Sequence, residues 1–122
     1  MLLAACGGGD GTPAKMDAAK MDAAKIATVV TVDCATTTAA ATVLEMDNVA
    51  AFMPMASSIT MGQVVKFTTS SIHNVKPNPI AAMTDSGLDV TFNTTKCLRF
   101  TATGTFGFMC SVHGFAGTVT VN

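Results

Sequence analysis

The chain has two histidines, His73 and His113, and the second follows Cys110 by three residues in Phe106-Gly107-Phe108-Met109-Cys110-Ser111-Val112-His113. Two imidazoles and one thiolate form a mixed donor set. The thiolate favours Cu(I) and imidazole serves both oxidation states, so the set suits one type 1 copper ion cycling between Cu(I) and Cu(II). Taken singly, a histidine is ordinarily a surface or satisfied polar residue and a cysteine a small buried apolar one. Their joint arrangement, with no histidine to spare, singles out His73, Cys110 and His113 as candidate ligands. No acid/base pair or nucleophilic constellation accompanies them, which argues against an enzyme.

Such a set works only if something rigid brings His73 to the Cys110 segment. A strand must deliver Cys110, a tight turn must swing His113 to the same ion, and His73 must come from another strand end. After Lys25 the sequence turns to short β-rich runs at about 26–33, 42–46, 63–69, 72–75, 88–92, 97–103, 105–110 and 117–121, divided by Gly62, Pro77, Pro79, Gly87 and Gly104. Val64-Val65-Lys66-Phe67-Thr68-Thr69 and Thr118-Val119-Thr120-Val121 alternate with the period of two that buries one face of a strand. The pattern predicts an all-β sandwich of seven to eight strands. The stretch around 50–61, with Phe52-Met53-Pro54-Met55, reads as a loop or short helix at one end of it.

At 122 residues the chain is the size of one domain. Only 12% of residues are charged and 49% are hydrophobic, with seven Lys/Arg against eight Asp/Glu, so no single-sign field marks a nucleic-acid partner. A neutral, apolar docking surface fits better. No apolar run reaches the roughly 20 residues that span a bilayer.

The motifs resemble the plastocyanin/amicyanin branch of the cupredoxins. Ile59-Thr60-Met61-Gly62-Gln63-Val64-Val65-Lys66-Phe67 and Ser71-Ile72-His73-Asn74-Val75 read like that family's strand and His-Asn-Val ligand segment. The Cys110-to-His113 loop, followed by Gly117-Thr118-Val119-Thr120-Val121, reads like its Cys-x-x-His loop and last strand. Cys-x-x-His alone is a weak motif, and the flanking segments make it fairly strong.

The resemblance covers roughly 26–122 and implies a Greek-key sandwich holding one copper ion on His73, Cys110 and His113. It implies that Asn74 ties the first ligand segment to Ser111, orienting the ligands. His113, ringed by apolar residues such as Phe115, would be the electron port. The implied function is a monomeric one-electron carrier docking transiently with redox proteins around His113. The alternative is a copper chaperone or store, suggested by nine methionines.

One departure stands out. The family's weak axial methionine, a few residues after the second histidine, is replaced here by Gly114, Phe115, Ala116, Gly117 and Thr118. Met109, beside Cys110 on a strand, should face the other way. Met53, Met55, Met61 and Met83 stay open as sources, as do a three-coordinate site of raised potential and a backbone carbonyl as fourth ligand.

Of four cysteines, Cys34 and Cys97 are left as a disulfide pair or as two buried thiols. Leu3-Ala4-Ala5-Cys6 before Gly7-Gly8-Gly9 resembles a bacterial lipobox with Cys6 as the lipid-bearing residue, although the five residues ahead of Cys6 are short for a secretory signal. The resemblance implies export to the periplasm or another extracytoplasmic compartment, with lipid on Cys6 as membrane anchor. Residues 1–6 would then be a signal remnant and 7–25 a low-complexity tether. In the tether Lys-Met-Asp-Ala-Ala is written twice, at 15–19 and 20–24. Ala-rich, alternately charged segments are partly helical spacers, and this one would reach about 16 Å at about 1.5 Å per residue. The copper-binding domain is 26–122.

Overall fold

A computed structural model of the protein describes residues 27–122. Cys6 and the 7–25 tether lie outside the described residues. Eight strands follow in order: β1 Val29–Val32, β2 Ala41–Leu44, β3 Ala56–Ile59, β4 Val64–Thr68, β5 Lys76–Pro77, β6 Thr95–Phe100, β7 Gly104–Met109 and β8 Ala116–Val121. They form two four-stranded sheets, ordered β1-β6-β4-β2 and β3-β8-β7-β5. Consecutive strands mostly sit in different sheets, so the chain crosses the core repeatedly and the two layers form one sandwich.

Alternation explains which side chains meet between the layers. In β4, Val65 and Phe67 are buried while Lys66 faces water, and in β8 Val119 and Val121 are buried between more exposed threonines. Phe52, Phe67, Phe100, Phe106 and Phe108 fill the interior with edge-to-face contacts, such as Phe67 on Phe108 at 5.2 Å and Phe100 on Phe106 at 5.5 Å. Quadrupolar rings prefer this geometry to face-to-face stacking. Gly117 is required where it stands: a Cβ there would lie 2.7 Å from the Phe108 ring.

Three expectations change. The 50–61 stretch is not simply a loop or helix, because Ala56-Ser57-Ser58-Ile59 forms β3, parallel to β8. It is an edge strand whose short polar side chains hide the strand signal, and only Ile59 is buried. The runs at 72–75 and 88–92 are not strands. They meet at one bridge, where Val75 and Val90 exchange both backbone hydrogen bonds at 2.9 and 3.0 Å. The chain there is leaving one sheet for the other, so no longer ladder can form.

Two devices fasten β1, the first described strand. Asp85 accepts hydrogen bonds from the Thr28 N–H and hydroxyl, both 2.8 Å, and from the Gly87 N–H at 2.9 Å. Cys34, just past β1, is joined by a disulfide to Cys97 of β6, with the Cα atoms 5.3 Å apart.

Candidate metal centre

The β7–β8 ladder defines the two poles of the sandwich. Gly104 pairs with Val121 at one end and Met109 with Ala116 at the other, so Cys110 leaves β7 at the second pole. The loop that follows is held tightly: the Gly114 N–H bonds the Cys110 carbonyl at 2.8 Å, and the Cys110 N–H bonds the Phe115 carbonyl at 2.9 Å. Gly114 makes the reversal at φ +80°, a region that favours glycine. His113 is thereby turned back over Cys110. His73 reaches the same pole from beyond the end of β4, in the crossing segment that leads to β5.

Among the described residues, His73, Cys110 and His113 form the one group of metal-ligating side chains whose donor atoms all lie within 4.8 Å of one another. The two Nδ1 atoms are 3.1 Å apart, and each lies 3.8 Å from the Cys110 sulfur. The point equidistant from the three atoms lies about 2.1 Å from each, within the roughly 2.0–2.3 Å that nitrogen and sulfur donors keep from a d-block ion. The donor set and its dimensions therefore fit one ion. Cys110 is a free thiol, buried like His73, whereas His113 is exposed.

Asn74 braces the arrangement. Its Oδ1 accepts from the Ser111 N–H at 2.9 Å, and its Nδ2 donates to the Ser111 hydroxyl at 2.9 Å. This side chain, itself buried, ties the His73 segment to the residue after Cys110. Phe115 packs on both imidazoles, edge-on to His73 at 4.9 Å and nearly parallel to His113 at 6.4 Å. Behind it Phe52 contacts both Phe115, at 4.8 Å, and Phe108, at 4.7 Å. Phe52 had no ligand motif to mark it, and its role emerges only from packing.

The open methionines divide by position. The Met61 N–H bonds the Asn122 carbonyl, and the Met83 sulfur stands over Gly104, so both belong to the opposite pole. Gly104 and Cys110 are six residues apart on an extended strand, about 20 Å. Met55 is exposed and lines a cavity of about 440 Å³ on the outer face of the β3-β8-β7-β5 sheet, with Asn78, Ile80 and Gly107. Met53 is also exposed, opposite Leu44 at an isolated bridge. Met109 alternates with buried Phe108 and Cys110 and is not part of the core.

No family model and no curated protein matches this chain. Solved structures do. Amicyanin from Paracoccus versutus superposes with a TM-score of 0.55 at 19% identity, covering 80% of this chain and 100% of that one. This is the cupredoxin fold. A purple cupredoxin from Nitrosopumilus maritimus gives a TM-score of 0.54 at 19% identity, over 67% of this chain and 99% of that one. A Cu(I) form of a methionine-to-glutamine variant of amicyanin gives 0.57 at 18% identity, over 78% and 99%. At such identities the likeness establishes the cupredoxin architecture, and the site must be argued from this chain's own residues.

One residue at this pole was missed altogether. Glu45, just past β2, is 6% exposed, and neither carboxylate oxygen has a hydrogen-bond partner. The available signal was its position: in Thr42-Val43-Leu44-Glu45 the alternation that buries Val43 also turns Glu45 inward.

Proposed function

We propose that this protein is a small electron-transfer protein that holds one copper ion on His73, Cys110 and His113. The observation that carries the reading is the convergence of two imidazole Nδ1 atoms and one thiol sulfur from distant segments, at separations matching a single ion. When bound, copper supplies the one-electron Cu(I)/Cu(II) couple. The chain supplies the rest. Cys110 and His73 are shut away from water, the Asn74–Ser111 bonds hold the two ligand segments in register, and the 110–115 loop is closed by its own backbone. A cage held this way moves little between oxidation states, which keeps the reorganisation cost of electron transfer low.

Access is through His113, the exposed ligand. Exposed Val112 and Ile72 and partly buried Phe115 accompany it, an apolar setting suited to brief docking of a redox protein. The Cys34–Cys97 disulfide fits an oxidising, extracytoplasmic compartment, in keeping with lipidation at Cys6 and a 7–25 tether. We take the protein to act as a monomer and not as an enzyme.

A second reading, a copper chaperone or store, is favoured by one observation: Met46, Met53, Met55, Met61 and Met83 are all exposed thioethers. Electrochemistry decides between the two. The electron-transfer reading expects the copper-loaded protein to show a reversible one-electron wave and to keep its metal through repeated cycles. Loss of copper to a competing Cu(I) acceptor on reduction, with no reversible wave, would favour the chaperone.

A further inference from the structure

Among the described residues, the buried side-chain polar atoms that lack a partner are both oxygens of Glu45, the Ser70 hydroxyl and Nε2 of His73. All belong to segments at the pole of the metal centre. Buried polar groups are nearly always hydrogen-bonded, and an unpaired one costs on the order of 1–3 kcal/mol, so such a cluster calls for an explanation.

The register places Glu45 at the same pole as His73, beside the segment that leads to it. The Glu45 N–H bonds the Thr68 carbonyl at 2.9 Å, which continues the parallel β2–β4 pairing and sets Glu45 beside Thr69. Two residues on, the Asp47 carboxylate accepts from the Ser71 N–H at 2.9 Å and the Ser71 hydroxyl at 2.7 Å, so 45–47 runs alongside 69–71, immediately before His73. From the other side, the Leu44–Met53 bridge sets Phe52 across from Glu45, and Phe52 packs on the Phe115 ring that packs on His73.

Of the hydroxyls near this segment, those of Thr69 and Ser71 are committed. The single hydrogen of the Thr69 hydroxyl is taken by the Thr91 carbonyl, with the Thr94 carbonyl also in reach. Hydrogen bonds from Ser71 hold the Asp47 carboxyl below its ordinary range, and the Ser70 hydroxyl, buried without a partner, is the rival donor for Glu45 that the test must separate from His73. Burial without a donor pushes the Glu45 carboxyl up to about 7. On His73, Nδ1 faces the centre, so a neutral ring that ligates there carries its hydrogen on Nε2. That hydrogen is buried and has no acceptor.

We propose that Glu45 is a positioning residue for His73, its carboxyl group accepting the hydrogen on Nε2 after rotation of the Glu45 side chain. The bond would fix the tautomer that leaves Nδ1 free for the metal and would hold the ring in its ligating orientation, as partners behind a ligating histidine do. The inference rests on the copper reading for its purpose, but its structural half concerns the protein alone.

The test compares the parent chain with Glu45→Leu, Glu45→Gln and Ser70→Ala. In the metal-free, thiol-reduced protein, nitrogen NMR of His73 should show the Nε2–H tautomer with a slowly exchanging proton. Glu45→Leu should lose that protection and mix the tautomers, Glu45→Gln should largely restore it through its amide oxygen, and Ser70→Ala should leave it unchanged. Copper affinity should fall roughly 10- to 100-fold in Glu45→Leu and far less in Glu45→Gln. An unchanged His73 spectrum in Glu45→Leu would overturn the proposal, and so would transfer of the effect to Ser70→Ala. Failure of the parent chain to bind copper would instead strike at the reading of the centre, because the NMR comparison contains no metal.

Discussion

Cys110 and Asn74 have separable roles that substitution can tell apart. The thiolate of Cys110 is the group that would give copper an intense visible band, so Cys110→Ser should remove that band while the sandwich stays folded. Asn74 links two segments by hydrogen bonds to Ser111 on both its amide nitrogen and its oxygen. Asn74→Ala removes the acceptor of the Ser111 N–H, which is exposed enough to turn to water, and should lower stability by about 0.5–1.5 kcal/mol. It should also weaken copper binding, because the His73 segment is no longer tied to the residue after Cys110. Chemical denaturation and metal competition measure the two effects independently. A loss of stability with unchanged affinity would mean that Asn74 braces the fold and not the ligands.

At the scale of elements, the candidate ligands were legible because their types are rare: two histidines and a nearby cysteine stand out in a chain rich in Thr, Ala and Val. Strands β4, β7 and β8 were legible for a different reason, since each alternates or is bounded by glycine. Strand β3 was not, because Ser57 and Ser58 carry no apolar periodicity and the strand exists only through its parallel pairing with β8. Likewise, Val75 and Val90 look like strand residues but have room for one bridge only. Glu45 was overlooked because an acidic residue at a strand end normally faces water, and that expectation outweighs the alternation with Val43 that turns it inward. The Cys34–Cys97 bridge could be listed from the sequence as one of two outcomes, since Cα separations are a property of the fold. With a sequence separation of 63, the bridge should contribute about 4 kcal/mol in the chain-entropy account. Replacing both cysteines with alanine should lower the melting temperature and leave the visible spectrum of the copper form unchanged. A changed spectrum would show that the bridge shapes the centre, although it joins the end of β1 to β6 and involves none of the candidate ligands.

For the whole molecule, acid should first loosen the attachment of β1. Burial tends to raise the Asp85 carboxyl, but hydrogen bonds from the Gly87, Thr28 and Val29 backbone and the Thr28 hydroxyl outweigh it and hold the group below 3.8. A group lowered by folding binds fewer protons in the native state. Its stabilisation is therefore fully present above the unfolded value and is lost as pH falls through the folded one. Asp85→Ala should cost about 1–2 kcal/mol near neutral pH and show a shallower loss of stability below about pH 4 than the parent chain. Identical acid limbs for the two proteins would assign acid sensitivity to other carboxylates.

The central claim is that the two imidazoles and one thiolate at the pole of this sandwich bind one copper ion as a type 1 centre. Its most direct test is a Cu(II) titration of the whole protein followed by visible absorption and EPR. The account predicts saturation at one copper per chain, an intense thiolate-to-copper band in the visible, and narrow copper hyperfine splitting, all absent in Cys110→Ser. A colourless complex with the wide splitting of ordinary nitrogen and oxygen coordination, unaffected by Cys110→Ser, would contradict it.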